Sequence, residues 1–189
     1  MRRELRDARS AFVGAIAPAV RHALESALAD WLLPHLGKPG TIGTYAATGD
    51  EIDPASAQSA ASAAGWRIAF PRVVGPAPLC FHHCSFAELA PGFKGIPEPP
   101  ATAPTVVPDV LLVPLLAADR AGNRLGQGAG HYDRTLASLR AAGPVLAIGF
   151  AWDMQIVERI ESQPWDQPLD AIATPASFHL AGPGARRCA

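Results

Sequence analysis

The sequence lacks the features of disulfide-rich, secreted and membrane-spanning proteins. It has only three cysteines among 189 residues, Cys80, Cys84 and Cys188, which are too few for a disulfide framework and favour a reducing compartment. No apolar run reaches the length of a transmembrane helix, because proline, glycine, histidine and charged residues interrupt every candidate. The amino terminus mixes acidic residues with arginines and has no apolar segment typical of a secretory signal. These absences predict a cytoplasmic protein with no membrane anchor.

The charge is nearly balanced, with 16 basic and 17 acidic residues and a formal net charge of -1. This balance argues against nucleic acid as the main partner, because a phosphate backbone selects strongly basic surfaces. The apolar content of 49% predicts a packed core that needs no metal or disulfide. The length predicts a single domain over residues 1–180 with a C-terminal tail over 181–189. We further expect a monomer or weak homodimer that acts on a small-molecule substrate.

Helix-forming and strand-forming segments alternate along the chain. Helix is predicted over 2–33, interrupted at Pro18, and again after Asp53-Pro54, where a carboxylate can cap the first turn. Further helices are predicted over 132–142 and 154–161. Strands are predicted over 41–46, 66–71, 79–86, 110–115, 145–150 and 169–174, with a proline-rich loop over 91–108. The alternation predicts an α/β fold, with a mainly parallel β-sheet flanked by helices on both faces in three α/β/α layers.

The most informative segment is a glycine-rich loop, Gly126–Gly130, between a buried strand and a helix. Its three glycines alternate, and their missing side chains let a ligand approach the backbone. Successive amides and the N-terminus of the next helix can bind an anion such as phosphate. Asp133 in the first helical turn suits Mg²⁺ beside phosphates, and Arg124 and Arg134 could balance their charge. The spacing alone also fits a flexible loop in which Asp133 only favours the helix dipole.

Several motifs occur in a fixed order and together carry a resemblance to one family. They are Arg2-Arg3-Glu4-Leu5-Arg6, Gly49-Asp50-Glu51-Ile52-Asp53, Phe70-Pro71-Arg72, Gly95-Ile96-Pro97-Glu98-Pro99, the run 110–134, Gln155 and the run 165–170. In these residues the sequence resembles the 5-formyltetrahydrofolate cyclo-ligases, also called methenyltetrahydrofolate synthetases. The resemblance implies ATP-dependent cyclisation of 5-formyltetrahydrofolate to 5,10-methenyltetrahydrofolate, with ATP and Mg²⁺ as cofactors. ADP and phosphate would be released after a phosphorylated formyl intermediate.

The resemblance implies an ATP site with two parts. Arg2 and Arg6, four residues apart and so on one helix face, would hold the phosphates, with Arg3 beside them. The second part is the glycine-rich loop and its neighbours, namely Arg124, Leu125, Gly126, Gln127, Gly128, Ala129, Gly130, His131, Tyr132 and Arg134. Without the resemblance, the N-terminal arginines would be interpreted as a solvated basic face. No certain catalytic side chain is implied, because the loop positions the reactants.

The resemblance also implies a folate site and a Mg²⁺ site. Ala46 and Glu51 would bind the folate, since the Glu51 carboxylate can accept paired hydrogen bonds from its heterocycle. The loop residues implied to touch the folate as well are Gln127, Gly128, Ala129, Gly130 and His131. Asp133 and Asp166 would hold Mg²⁺. Taken alone, Glu51 could be a polar loop residue, and Asp166 a turn residue between two prolines.

The chain departs from the family's pattern at five positions. Arg2 stands where the family usually has lysine. The family often has arginine at the position of Gln127, lysine or glycine at that of Ala129, and tyrosine at that of His131. Lys94 replaces an aromatic residue. These departures leave open a second hypothesis, a non-catalytic relative that binds folate or nucleotide. A third is an unrelated enzyme acting on sugar phosphates or coenzyme A esters, because fold does not fix function.

Two other patterns are interpreted as structural. Cys80, His82 and Cys84 alternate and would share one strand face, as zinc ligands could, but buried cysteine is commonly just a small apolar residue. The four tryptophans are expected to be packing residues, although Trp152 follows a predicted strand and could border the site. The other three are Trp31, Trp66 and Trp165.

Overall fold

The computed structural model describes residues 1–181 of the chain, so the predicted tail beyond them and Cys188 lie outside the described residues. The helices are α1 (Arg2–Ala15), α2 (Pro18–Leu32), α3 (Ala55–Ala63) and α4 (His131–Ala142). The break at Pro18 is confirmed, and Asp53 Oδ1 accepts a hydrogen bond from the Ala55 amide at 2.9 Å where α3 begins. Within residues 1–181, no helix has both the length and the apolar character needed to cross a membrane.

Short strands occupy most of the remaining sequence. They are β1 (Thr41–Gly43), β2 (Arg67–Arg72), β3 (Cys80–His83), β4 (Ala90–Pro91), β5 (Pro97–Glu98), β6 (Thr105–Val106), β7 (Val110–Pro114), β8 (Ala117–Asp119), β9 (Arg124–Leu125), β10 (Leu146–Phe150), β11 (Ile156–Val157), β12 (Ala171–Thr174) and β13 (Ser177–Leu180). The main sheet has the order β13-β12-β10-β7-β1-β2-β3-β6. Its central strands, from β12 to β2, are parallel, whereas β13 pairs antiparallel with β12, β3 pairs antiparallel with β2, and β6 pairs antiparallel with β3. Strands β11, β8 and β9 form, in that order, a small separate sheet, and β4 pairs with β5.

Both faces of the sheet are covered by helices. Strand β7 is buried on both sides, and its residues alternate between two apolar cores. Leu112 belongs to the core that contains Leu28 of α2, while Leu111 belongs to the core that contains Leu136 of α4. The predicted α/β fold, with a mainly parallel sheet and helices on both faces, is therefore confirmed.

Two predicted elements differ from the structure, and several short strands were not predicted. The helix predicted over 154–161 is wrong, because Asp153–Gln155 forms a single 3-10 turn that leads into β11. The proline-rich loop over 91–108 contains β5, β6 and part of β4. Strand β13 pairs with β12 where no strand was predicted. Strands of two to four residues are stabilised by their partners in the sheet, and such partners leave no pattern in the local sequence.

Gly43 in β1 tests how closely the central sheet is packed. An added Cβ would lie 2.8 Å from Phe81 and Pro108 atoms and 2.9 Å from Leu111. Gly43→Ala is therefore expected to lower the free energy of unfolding by about 1–3 kcal/mol, measured by urea denaturation. Gly14→Ala is the matched control, because nothing lies within 4 Å of a Cβ at this exposed helical position. The control should be neutral or stabilising, and an equally neutral Gly43→Ala would contradict the packing described.

Candidate active site

A cleft of about 1140 Å³ opens at the carboxyl ends of the parallel strands. Tyr45 and Ala46 line it just after β1, and Pro71 lines it near the end of β2. Pro114 and Leu115 contribute from the end of β7. Ligands of open α/β sheets bind at this edge, because loops from several strands meet there. The glycine-rich loop lines the same cleft.

The glycine-rich loop joins β9 to α4 through backbone conformations that favour glycine. Gly128 has a φ of 99° and Gly130 a φ of 65°, both in the left-handed region. Gly130 directly precedes α4, so the loop ends at a helix N-terminus that carries partial positive charge. Asp133 lies in the first turn of this helix. The local structure therefore has the features expected of a site for phosphate groups.

The buried carboxylate of Asp119 fixes the hairpin of β8 and β9 that precedes this loop. Its Oδ1 accepts hydrogen bonds from the Ala121 and Asn123 amides, both at 3.0 Å. Its Oδ2 accepts from Asn123 Nδ2 and the Ile160 amide, both at 2.9 Å. Burial acts to raise the pKa of Asp119, but the hydrogen bonds outweigh it and lower that pKa. Asp119 was not among the predicted site residues, although an aspartate before a Gly-Asn turn is a recognisable signal.

Arg124 is buried between the first turn of α4, which carries Asp133, and the segment that carries Asp166. Its side chain is only 6% exposed, and its Nη2 donates to Asp133 Oδ1 at 2.6 Å. The same Oδ1 accepts from the Gln167 amide at 3.2 Å, and Arg124 Nη1 donates to the Gln167 carbonyl. Burial lowers the pKa of Arg124, while the charges of Asp133 and Asp166 oppose that shift. Asp133 and Asp166 therefore lie near one guanidinium.

Glu51 reaches the cleft from the segment between β1 and α3. Its Oε2 accepts hydrogen bonds from the Thr48 amide at 3.0 Å and from Thr48 Oγ1 at 3.1 Å. Arg21 Nη2 donates to the Glu51 carbonyl at 3.1 Å, which holds the backbone in place. Within the described range, Oε1 accepts no hydrogen bond from another protein group. Glu51 is thus held through one oxygen while the other is available to a ligand.

The arginines at the start of α1 differ in their relation to the loop. Arg2 lines the cleft, and its Nε donates to the Gly126 carbonyl at 3.1 Å. Arg6 Nε donates to Gln127 Oε1 at 2.9 Å. Arg3 is 91% exposed, and its nearest carboxylate, on the same helix, lies 3.7 Å away. The structure therefore brings Arg2 and Arg6 to the loop and leaves Arg3 in solvent.

His131 lies between cationic and aromatic groups at the first position of α4. Its Nδ1 is 3.1 Å from Arg134 Nη2, and its ring lies edge-on to Phe93 with 5.9 Å between ring centroids. Burial, and then the charges of Arg134 and Lys94, lower the pKa of His131 below its ordinary value of 6.5. The imidazole is therefore neutral at pH 7. Burial likewise raises the pKa of the neighbouring Tyr132, so its phenol keeps its proton.

One family profile matches nearly the whole described chain: residues 1–175 match the 5-formyltetrahydrofolate cyclo-ligase family. The chain belongs to this family. A 5-formyltetrahydrofolate cyclo-ligase from Mycolicibacterium smegmatis is 32% identical over 166 residues, which cover 83% of this chain and 84% of that protein. The Escherichia coli cyclo-ligase is 40% identical over 94 residues, 48% of this chain. That alignment spans about half the length of the relative, 51%.

Solved structures of similar proteins extend this family relationship to the fold. The NMR structure of a 5,10-methenyltetrahydrofolate synthetase from Aquifex aeolicus matches with a TM-score of 0.77 at 28% identity, covering 97% of this chain and 94% of that chain. A 5,10-methenyltetrahydrofolate synthetase from Mycoplasma pneumoniae matches with a TM-score of 0.65 at 22% identity, covering 92% of this chain and 98% of that chain. The second likeness shows a shared fold only.

Most residues singled out by the cyclo-ligase resemblance meet in the cleft. Those that line it are Arg2, Ala46, Glu51, Arg124, Leu125, Gly126, Gln127, Gly128, Ala129, Gly130, His131, Tyr132, Asp133, Arg134 and Asp166. Arg3 and Arg6 are not among the lining residues, although Arg6 contacts the loop through Gln127. Their individual roles remain predictions.

A buried ionic contact lines the cyclo-ligase cleft where no site residue was predicted. Glu98, 5% exposed, accepts a hydrogen bond from the Val73 amide at 3.1 Å, and its Oε2 lies 3.6 Å from Arg72 Nη1. The motif around Glu98 was recognised only as part of the family pattern. Glutamate is rarely buried, so nothing in the sequence alone marked Glu98 as a buried residue of the cleft.

The tryptophans and the cysteine-histidine cluster lie partly where expected. Trp165 is 68% exposed and lines the cleft, so its predicted packing role is wrong. Trp152 is fully buried and donates to the Asp50 carbonyl at 3.0 Å, and it does not line the cleft. His82 Nδ1 lies 2.7 Å from a backbone carbonyl, and Cys84 is buried. Across residues 1–181, no three His, Cys, Asp or Glu side chains come close enough together to bind a metal ion.

The hydrogen bonds to Asp119 predict a specific dependence of stability on pH. Because its folded-state pKa lies below the ordinary value of 3.8, the carboxylate stabilises the fold above that pH. The stabilisation is lost as the pH falls through the folded-state pKa. Asp119→Asn should lower the free energy of unfolding at pH 7 by about 1–3 kcal/mol. It should then lose less further stability than the wild type as the pH is lowered to about 3, in urea denaturation at each pH.

The control for this comparison is Asp30→Asn, an exposed aspartate on α2. It should follow the wild-type pH profile throughout. Parallel stability profiles for Asp119→Asn and the wild type would contradict the assigned role of the Asp119 carboxylate.

Proposed function

We propose that the chain catalyses the ATP-dependent cyclisation of 5-formyltetrahydrofolate to 5,10-methenyltetrahydrofolate, with release of ADP and phosphate. The observation that carries this proposal is that Glu51 and the glycine-rich loop, distant in sequence, line one cleft. A carboxylate suited to a heterocycle thus lies in the same cavity as a loop suited to phosphates. Membership of the cyclo-ligase family supports the same reaction.

The reaction needs a group that turns the formyl oxygen into a leaving group, because an amide-like oxygen does not depart unaided. In the proposed sequence, the formyl oxygen attacks the γ-phosphorus of ATP, the bond to the β-phosphate oxygen breaks, and ADP leaves. The second amine nitrogen of the folate then attacks the formyl carbon and loses its proton to solvent. The carbon–oxygen bond breaks and inorganic phosphate leaves. In such phosphoryl transfers the protein mainly positions the reactants and neutralises charge.

The basic residues of the cleft divide into two groups under this proposal. Arg2 and Arg134 line the cleft without a carboxylate partner within 4.0 Å in the described part of the chain, and they would contact the ATP phosphates. Arg124 is already paired with Asp133, so it would orient α4 and the loop rather than bind phosphate. This division assigns Arg124 a positioning role.

Asp133 and Asp166 have the donor groups that Mg²⁺ requires. Both line the cleft, and each keeps one carboxylate oxygen that accepts no hydrogen bond from another residue of the described chain. Mg²⁺ takes one or two carboxylates and completes its shell with phosphate oxygens and water. These two residues would hold the cation, which when bound neutralises phosphate charge.

The proposed cellular setting is the cytoplasm. Cys80 and Cys84 are both free thiols in the structure. Cys80 begins β3 and Cys84 directly follows it. Free thiols persist most readily where glutathione keeps the compartment reducing.

The direct test is the absorbance of methenyltetrahydrofolate formed from 5-formyltetrahydrofolate, ATP and Mg²⁺. Product should appear with ATP and not without it. Folate binding by calorimetry without any turnover would instead favour a non-catalytic relative. Indifference to folates altogether would favour an unrelated enzyme on the same fold.

Asp133→Asn is predicted to impair turnover, and it should also lower the free energy of unfolding, because it removes the charge paired with the buried Arg124. Turnover is therefore compared at a temperature where circular dichroism shows both proteins to be folded. The amide keeps a hydrogen-bond acceptor for the Gln167 amide but loses the charge that would hold Mg²⁺. We expect the turnover number to fall roughly a hundredfold or more, with a higher Mg²⁺ concentration at half-maximal rate. Asp30→Asn removes one exposed carboxylate elsewhere and should leave both quantities unchanged. A variant with wild-type Mg²⁺ dependence would refute the metal assignment.

Glu51→Gln is predicted to weaken folate binding selectively. Replacing the carboxylate removes a charge-assisted acceptor, which corresponds to roughly a tenfold to hundredfold loss of folate affinity in calorimetry. The affinity for ATP should stay within about twofold, because the predicted ATP contacts are on other residues. Glu158→Gln, at an exposed position outside the cleft, is the matched control. Equal losses for folate and ATP would indicate that Glu51 shapes the whole cleft instead.

A further inference from the structure

Arg9 continues the line of arginines on α1 into the protein interior. Arg2, Arg6 and Arg9 are spaced by four and three residues, so they lie along one helix face. The first two contact the glycine-rich loop, and Arg9 Nη1 donates to the Leu115 carbonyl at 3.5 Å. Leu115 lies at the end of β7 and lines the cleft. The basic face of α1 therefore runs from the loop to the strand edge behind it.

The charge of Arg9 has no ionic partner in the described chain. Its side chain is 7% exposed, and its Nε has no hydrogen-bond partner within residues 1–181. No carboxylate among those residues lies within 4.0 Å of its nitrogens, whereas Arg21 and Arg124 each pair with one. A buried guanidinium keeps its charge, and leaving it unpaired costs stability. The fold thus maintains a charge that the free protein does not compensate.

The position of Arg9 lets this charge act on the cleft. Tyr45, which lines the cleft, has its pKa raised first by burial and then by Glu51, and the charge of Arg9 opposes this shift. A charge embedded in low-dielectric protein is weakly screened and is felt in an adjoining cavity. Arg9 itself does not line the cleft, so it would act at a distance rather than by contact.

We propose that Arg9 is a positioning residue whose buried, uncompensated charge raises the affinity of the cleft for a triphosphate. The proposal rests on the proposed function only in taking ATP as the natural ligand. This role differs from a purely structural one in its effect on the stability of the free protein. A structural arginine stabilises the free protein, whereas an uncompensated charge destabilises the free protein and is offset only when an anion binds.

The test compares Arg9→Met, which removes the charge but keeps a long side chain, with Arg9→Lys, which keeps the charge. Calorimetry measures binding of MgATP and, separately, of inorganic triphosphate, and urea denaturation measures stability. Arg67→Met is the control, because Arg67 is an exposed arginine at the opposite end of β2 from the cleft. Arg9→Gln is a second neutral variant, which can still donate to the Leu115 carbonyl if methionine disturbs folding.

We expect the neutral variants to bind both anions about tenfold more weakly or worse, with a denaturation midpoint at or above that of the wild type. Arg9→Lys should keep most of the affinity, and Arg67→Met all of it. Neutral variants that bind within twofold of the wild type, or an equal loss in Arg9→Lys, would overturn the proposal. If the wild type binds triphosphate but does not convert folate, the proposed function is refuted, while the comparison of triphosphate affinities among the Arg9 variants still decides the role of Arg9. A wild-type protein that binds neither MgATP nor triphosphate would overturn both the proposed function and the proposed role of Arg9.

Discussion

The ion pair between Arg124 and Asp133 is the contact on which the geometry of the cleft depends. It joins β9 to the first turn of α4, and the shared contacts with Gln167 attach the segment that carries Asp166. Because the Arg124 side chain is almost fully buried, losing its partner would leave a charge in the interior, at a cost of about 3–5 kcal/mol. Asp119 fixes the start of the same region through four hydrogen bonds. The glycine-rich loop therefore connects two ends that are held by buried hydrogen bonds and an ion pair.

The distribution of charge around this loop is consistent with the proposal that one cavity binds two different ligands. Arg2 and Arg134 lie with the loop at one part of the lining, where phosphates are proposed to bind. Glu51 enters from the segment after β1 and leaves one carboxylate oxygen for a heterocycle. A neutral His131 adds no further charge between cationic neighbours. Arg9 is proposed to add positive potential without lining the cleft, which would leave room there for a folate beside the phosphates.

The central part of the fold and much of the site could be predicted from the sequence. Buried runs such as Val110–Pro114 predict parallel strands, because only strands covered on both faces are apolar throughout. The glycine-rich loop and Asp133 are recognisable locally, since glycine spacing and a first-turn carboxylate have direct chemical meaning. The pairing of Arg124 with Asp133, the burial of Arg9 and the exposure of Trp165 were not predictable. They depend on contacts between segments that are far apart in the chain, and residue type alone does not reveal such contacts.

The central claim is that a nucleotide and a folate bind side by side in this cleft. The most direct measurement is a crystal structure of the protein with a non-hydrolysable ATP analogue, Mg²⁺ and 5-formyltetrahydrofolate. The account predicts the γ-phosphate against Gly126–Gly130, the heterocycle against Glu51, and the formyl oxygen about 3–3.5 Å from the γ-phosphorus. Ligands bound outside the cleft, or a folate whose formyl group points away from the γ-phosphate, would contradict the account.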